Sequence, residues 1–264
     1  MTDKRSTDRE AGQIACLSPR LQAVADLVGS GSRLADIGTD HAYVPIWLAA
    51  CGRIERAVAA DVNRGPLLRA LEHIRANGME DKIEIRLSDG FQALEPGEVN
   101  SAVLAGMGGG LMIRILKEGA RVAERLEECI LQPQSEIEKV RAFLLEEGFL
   151  FLEEDMVQDD GKYYPMMKVR PPRSADLKNA VKISGAASWN KVELRYGKLL
   201  LEKRNPVLKD FLERELSIKK QILSRLEPGD SPRIAARRRE VEMELECAEK
   251  GLSYYAVPRD YTGN

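Results

Sequence analysis

The residues best suited to chemistry lie where a short apolar run gives way to a loop: SRLADIGTDHAY, residues 32 to 43, carrying Asp36, Gly38, Asp40 and His41. The form is that of a nucleotide-binding turn with the wrong charge for phosphate. In a dinucleotide fingerprint the first glycine permits the tight turn, the second lets backbone approach the pyrophosphate, and the third lets the helix pack closely. Only the first is present, as Gly38; Asp40 takes the second place and Tyr43 the third. A carboxylate there repels phosphate and suits a ligand with a cationic centre. S-adenosylmethionine, with a sulfonium and an α-ammonium, meets that description. The alternative is a buried strand followed by an Asp helix cap.

Further strand ends extend the set. AAD ends in Asp61, placed to accept hydrogen bonds from a ribose diol; the next run ends in Ser88, Asp89 and Gly90; the next in AGMGG, where Gly106, Gly108 and Gly109 let backbone come close to a flat ligand. A lone strand-terminal Asp reads as a cap, but three on successive strands point to one ligand. His41 reads as a possible cap of the first crossover helix and His73 as a solvent-facing helix residue.

Parallel strands are needed to bring these ends together, and the chain supplies them. Strand-like and helical runs alternate from RLADIG to EIEKVRAFLLEEG, which implies a doubly wound α/β sheet, Rossmann-like, with ligands beyond the carboxyl ends of its strands. Ser135 and Glu138 form a capping-box signature for the last crossover helix, and Gly148 ends it. FLFLEEDMV and KYYPMMKV, joined through Gln158, Asp159, Asp160 and Gly161, read as a hairpin that closes the sheet with an antiparallel pair. Composition shifts near Pro171 and Pro172. From about Trp189 to Lys250 the chain is charged and helical, interrupted by PGDSP at residues 228 to 232. Leu208, Phe211, Leu212, Ile218, Ile222 and Leu226 make one apolar stripe, and Val241, Leu245, Ala248 and Leu252 another. The expected organisation is residues 14–172 as a ligand-binding domain and 173–255 as a coiled-coil-like helical hairpin.

Composition narrows the function. The chain has 264 residues, is 44% hydrophobic and has a net charge of -2, so it has no global basic field, and any polyanion must meet a local patch. Four scattered cysteines and two histidines offer neither a structural zinc site nor a disulfide framework, so no metal is expected. The polar start, MTDKRSTDREAGQ, and the lack of any bilayer-length apolar run imply no membrane and a cytoplasmic protein. Oligomeric state stays open, with a monomer as the default.

The segments LSPRLQAVADLV, ADIGTDHAYVP, AADVN, SDG, AGMGG, LQPQ and GKYYP, in this order, resemble the bacterial tRNA adenine N1-methyltransferase family that modifies adenine 22, over about residues 14 to 252. The resemblance implies a class I methyltransferase domain followed by a helical domain. It puts Asp36, Gly38 and Asp40 around the methionine moiety of S-adenosylmethionine, Asp61 at its ribose, and Asp89 with Gly90 at its adenine; Gly106 and Met107 would face the target base. Asp40 departs from the general G-x-G pattern of such loops.

Methyl transfer is an in-line displacement at a sulfonium, and alignment does most of the work. Adenine N1 has an in-plane lone pair, so no general base is compulsory. Positive charge ends on the base, where a carboxylate such as Asp40 would stabilise it. N1 lies on the Watson–Crick edge, so the base must be unpaired or extruded; Tyr43, Tyr163 or Tyr164 would stack on it, or pack in the core. AGMGG in place of Asn/Asp-Pro-Pro-aromatic disfavours exocyclic-amine chemistry, and no cysteine is placed to serve carbon-5 methylation.

Between Trp189 and Lys250 there are fifteen Lys or Arg against twelve Asp or Glu. Lys219, Lys220, Arg233, Arg237 and Arg238 are candidate phosphate contacts for tRNA, with Arg20 and Arg114 nearer the site mouth. The competing reading is a solvated surface of paired charges. A methyltransferase for another RNA, a non-catalytic S-adenosylmethionine- or RNA-binding module, and an NAD-dependent oxidoreductase are the remaining alternatives.

Overall fold

The computed structural model describes residues 16–172, 189–226 and 232–256. Its centre is a seven-stranded sheet of order β3-β2-β1-β4-β5-β7-β6. The five parallel strands are β1 (Ser32–Ile37), β2 (Ile54–Asp61), β3 (Ile83–Leu87), β4 (Ser101–Met107) and β5 (Glu128–Pro133). The antiparallel pair is β6 (Leu150–Asp159) and β7 (Lys162–Arg170), with β7 against β5. Asp160 and Gly161, both at positive φ (48° and 70°), make the two-residue turn. The sheet is therefore the doubly wound one expected, Rossmann-like with an antiparallel close.

Helices α1 (Pro19–Leu27), α2 (Tyr43–Ala50) and α3 (Arg64–Ala76) pack on one face; α4 (Gly109–Glu118), α5 (Ala120–Ala123) and α6 (Ile137–Glu146) pack on the other. The central strands are apolar on both faces because both are covered. On β5, Ile130 joins the cluster under α1 to α3, while Cys129 and Leu131 join the one under α4 to α6; on β4, Val103 goes to the first and Ala102 and Leu104 to the second. A two-residue period thus splits one apolar run between two cores.

Beyond the sheet come two short helices, α7 (Lys191–Tyr196) and α8 (Lys198–Glu202), then the long pair α9 (Pro206–Arg225) and α10 (Pro232–Ala256). The sequence led to the long pair but not to the short helices. α7 is fixed by a capping box in which Asn190 accepts from Val192 N and Glu193 N, and Glu193 accepts from Asn190 N. Of PGDSP, residues 228–231 lie outside the described residues. Leu208, Leu212, Val241 and Ala248 are buried between the helices, but Ile218, expected in the same stripe, is 43% exposed. A third apolar cluster gathers Tyr196, Leu200, Leu201, Leu208 and Leu212 around Met156 of β6, with Tyr163 of β7 packed against it.

Two expectations at helix starts need correction. The residue before α6 is Glu136, in the left-handed region at φ 53°, with no side-chain cap. Ser135 instead presents its carbonyl to Gly109 N at 3.2 Å, which ties the start of α4 to the end of β5 and sends the chain through the left-handed turn. His41 does not cap α2 either: the residue before it is Ala42, at φ 55°, whose N–H donates to Thr39 Oγ1 at 3.2 Å.

Candidate active site

Strand order reverses between β1 and β4, and a cleft of about 310 Å³ opens at their carboxyl ends. Its lining includes Asp36, Gly38, Asp40, His41, Tyr43 and Gly106 from the residues singled out in the sequence, and Arg20 from α1. Asp61, Asp89, Gly90 and Met107 are not in that lining.

Asp36 is the half-buried penultimate residue of β1, between the buried Ala35 and Ile37. Burial pushes its carboxyl up to about 6; a Thr39 hydrogen bond pulls it down and the charge of Asp61 pushes it up. A cationic ligand group would reverse that shift by compensating the carboxylate. Gly38 is held at φ 80°, a conformation that strains any side chain, and a Cβ there would also stand 2.9 Å from Met107 Cε, which would have to shift. Met107 Cε therefore lies beside Gly38, and the half-buried Met107 side chain also packs against the core under α4.

Asp40 is 59% exposed and held outward by Arg69, whose Nε donates to Asp40 Oδ1 at 3.0 Å. Asp40 Oδ2 lies 3.4 Å from His41 Nε2. The three rings of His41, Tyr43 and His73 form one cluster, with centroids 4.9 to 5.1 Å apart. His73, expected to face solvent, is half-buried in it, and Tyr43 is 39% exposed on the cleft side. Asp61 Oδ1 accepts from Asn63 N at 2.7 Å. Arg114 grips Asp89 with both terminal nitrogens, at 2.9 and 3.1 Å, and holds that carboxyl below its ordinary range.

The opposite wall was less legible. Arg20 donates to Gln132 Oε1 at 3.1 Å and lies 5.5 Å from the Tyr164 ring centroid; Gln134 lines the cleft beside it. Gly106, at φ 81°, faces both: a Cβ there would lie 3.5 Å from an Arg20 nitrogen and 3.8 Å from Gln134 Nε2. Tyr163, considered as a stacking platform, is instead packed edge-on against Phe211, with centroids 5.2 Å apart. Thr39, Gln132 and Gln134 were not singled out; the alternation in LQPQ, one glutamine buried and one open, was the available signal.

The candidate phosphate contacts fall into two groups. Lys219 is ion-paired with Glu244, Arg237 with Glu240, and Arg238 with Glu242 and the Leu226 carbonyl. Lys220 and Arg233 are exposed, and neither has a hydrogen-bond or ion-pair partner among the described residues. Among those residues no helix is long and apolar enough to cross a membrane, and no cluster of His, Cys, Asp and Glu is arranged to hold a metal.

Residues 17–167 match a family described as "Methyltransferase domain". A curated relative, the tRNA (adenine(22)-N(1))-methyltransferase of Bacillus subtilis, is 34% identical over 151 residues, 57% of this chain. The match spans 63% of that relative's length, under two thirds. The crystal structure of the Bacillus subtilis m1A22 tRNA methyltransferase superposes with TM-score 0.75 at 26% identity, covering 90% of this chain and 99% of that one. A Streptococcus pneumoniae protein solved in complex with S-adenosyl-L-methionine superposes with TM-score 0.76 at 29% identity, covering 90% of this chain and 100% of that one. With the strand order and the cleft at its reversal point, the match over more than half of the sequence settles the family: the chain belongs to the methyltransferase-domain family.

Proposed function

We propose that the chain transfers a methyl group from S-adenosylmethionine to N1 of an adenine in tRNA, at position 22 as the names of its relatives state. The observation that carries this reading is the placement of Asp36, Gly38 and Gly106 around one cleft at the carboxyl ends of β1 and β4. The donor set fits the cofactor: a half-buried carboxylate for its ammonium, a glycine at positive φ in the same cleft, and, outside that lining, Asp61 at the end of β2 and Asp89 just beyond β3 for its ribose and adenine. When bound, S-adenosylmethionine supplies an electrophilic methyl on a cationic sulfur.

The chain's residues then bind, orient and exclude. Asp36 holds positive charge and is ionised when it does so. Gly106 keeps the facing wall open so that a flat base can enter beside the peptide plane. The N1 lone pair attacks without deprotonation, so alignment is the chief contribution. Arg69 partly neutralises Asp40, which remains the nearest exposed carboxylate for a developing cation on the base. The helical hairpin, residues 173–255, serves as the tRNA-contacting domain, with Lys220 and Arg233 among its cations that have no side-chain partner among the described residues, and the protein works in the cytoplasm, where tRNA is.

Purified protein incubated with labelled S-adenosylmethionine and unmodified tRNA, then digested to nucleosides, tests the reading. Label in N1-methyladenosine, lost in Asp36→Ala, is the expected result. Cofactor binding without label would point to another RNA or to a non-catalytic binder.

A further inference from the structure

We infer that Gln134 selects adenine by reading the Hoogsteen edge of the target base; this rests on the methyl-transfer reading above. N1 is the reacting atom, so the edge that carries it must face the methyl donor and is not available to a protein hydrogen bond at N1. On the Hoogsteen edge the 6-amino group tells adenine from guanine, and N7, an acceptor in both, fixes the base in place. A primary amide matches them: its oxygen accepts from the amine and its NH2 donates to N7. Guanine presents two acceptors there, O6 and N7, and leaves the amide oxygen facing another oxygen.

Gln134 has the position and the freedom for this task. Its backbone N–H donates to the Met107 carbonyl at 2.9 Å, so its Cα is fixed by the β4–β5 ladder beside the Gly106 opening. Its side chain lines the cleft that holds Asp36 and Gly38, is exposed, and has no hydrogen-bond partner among the described residues. The neighbouring glutamine differs: Gln132 is fully buried, accepting from Arg20 and donating to the Pro133 carbonyl. Arg20 is fixed by Gln132 and by the Tyr164 ring, so it forms a wall and leaves reading to Gln134.

The test compares wild type, Gln134→Leu and Gln134→Glu on tRNA carrying adenosine or 7-deazaadenosine at the methylated position, with kcat/KM for N1 methylation as readout and S-adenosylmethionine binding as the control for folding. In wild type, 7-deazaadenosine should lower kcat/KM about tenfold, the loss of one hydrogen bond. Gln134→Leu should lose about tenfold to a hundredfold on adenosine and no longer distinguish the two bases, with cofactor affinity unchanged. Gln134→Glu, which cannot donate to N7, should prefer 7-deazaadenosine. An undiminished 7-deaza penalty in Gln134→Leu, or a Gln134→Glu that still prefers adenosine, overturns the assignment. A wild type that forms no N1-methyladenosine while binding cofactor overturns the reaction itself, and this inference with it.

Discussion

Arg141 Nε donates to Glu154 Oε1 at 2.8 Å, with the two side chains 1% and 0% exposed. This pair joins α6 to β6, and its remaining bonds reach the helical arm: Arg141 donates to the Leu194 and Arg195 carbonyls, and Glu154 accepts from Leu199 N. Removing one partner leaves the other buried and unpaired. Arg141→Met or Glu154→Gln should each cost about 3–5 kcal/mol by urea denaturation, and the double replacement Arg141→Met with Glu154→Leu less than the sum of the two.

Asp36 gives a pH prediction with a definite sign. Its carboxyl is raised from 3.8 to about 6, so its stabilising contribution is complete below pH 4 and is lost as pH rises through 6. Two units correspond to at most about 3 kcal/mol. Without cofactor, Asp36→Asn should melt above wild type at pH 8 and level with it at pH 4. Calorimetry at both values checks this. Titration should show wild-type affinity for S-adenosylmethionine falling below pH 6, and that dependence absent in the variant.

Gly106→Ala separates catalysis from folding. The left-handed φ of 81° makes alanine cost about 1–2 kcal/mol. The added carbon enters the cleft between Arg20 and Gln134, where the base must pass. Methylation should fall at least about tenfold, with cofactor affinity within about twofold of wild type, as measured by single-turnover kinetics and equilibrium dialysis.

Lys219 and Lys220 adjoin in sequence but should behave differently. Lys219, paired across the hairpin with a half-buried Glu244, contributes to stability, so Lys219→Ala should lower Tm. Lys220 is exposed, so Lys220→Ala should leave Tm unchanged and weaken tRNA binding in a salt-dependent way, reducing the slope of log K against log salt by roughly one. Thermal melts and filter binding at several salt concentrations distinguish the two.

The sheet was legible because each parallel strand is a short apolar run bounded by turn residues, and because the hairpin turn carries Asp160 and Gly161. The acidic strand ends were legible for the same reason: a charge that ends an apolar run is conspicuous. What escaped depends on contacts distant in sequence. Ser135 has the right spacing for a cap, but the claim of Gly109 on its carbonyl decides the geometry. The ring cluster needs α2 and α3 side by side before His73 can meet His41. Helices of five and six residues show no period, although Asn190 and Glu193 announced one of them. The pairing of Lys219 is set by the register of two helices that no single helical stripe encodes.

The β6–β7 hairpin is held from both sides. Asp159 accepts from Arg20 N at the start of α1, 3.2 Å away, while Arg214 of α9 donates to the Gly161 carbonyl at 3.3 Å. Met156 and Tyr163 lie with the helical arm, although they precede residue 172. Anyone grafting the arm of one relative onto the sheet of another would have to match these two strands to it, although Met166, Met167 and Val169 of β7 also fill the two cores of the sheet.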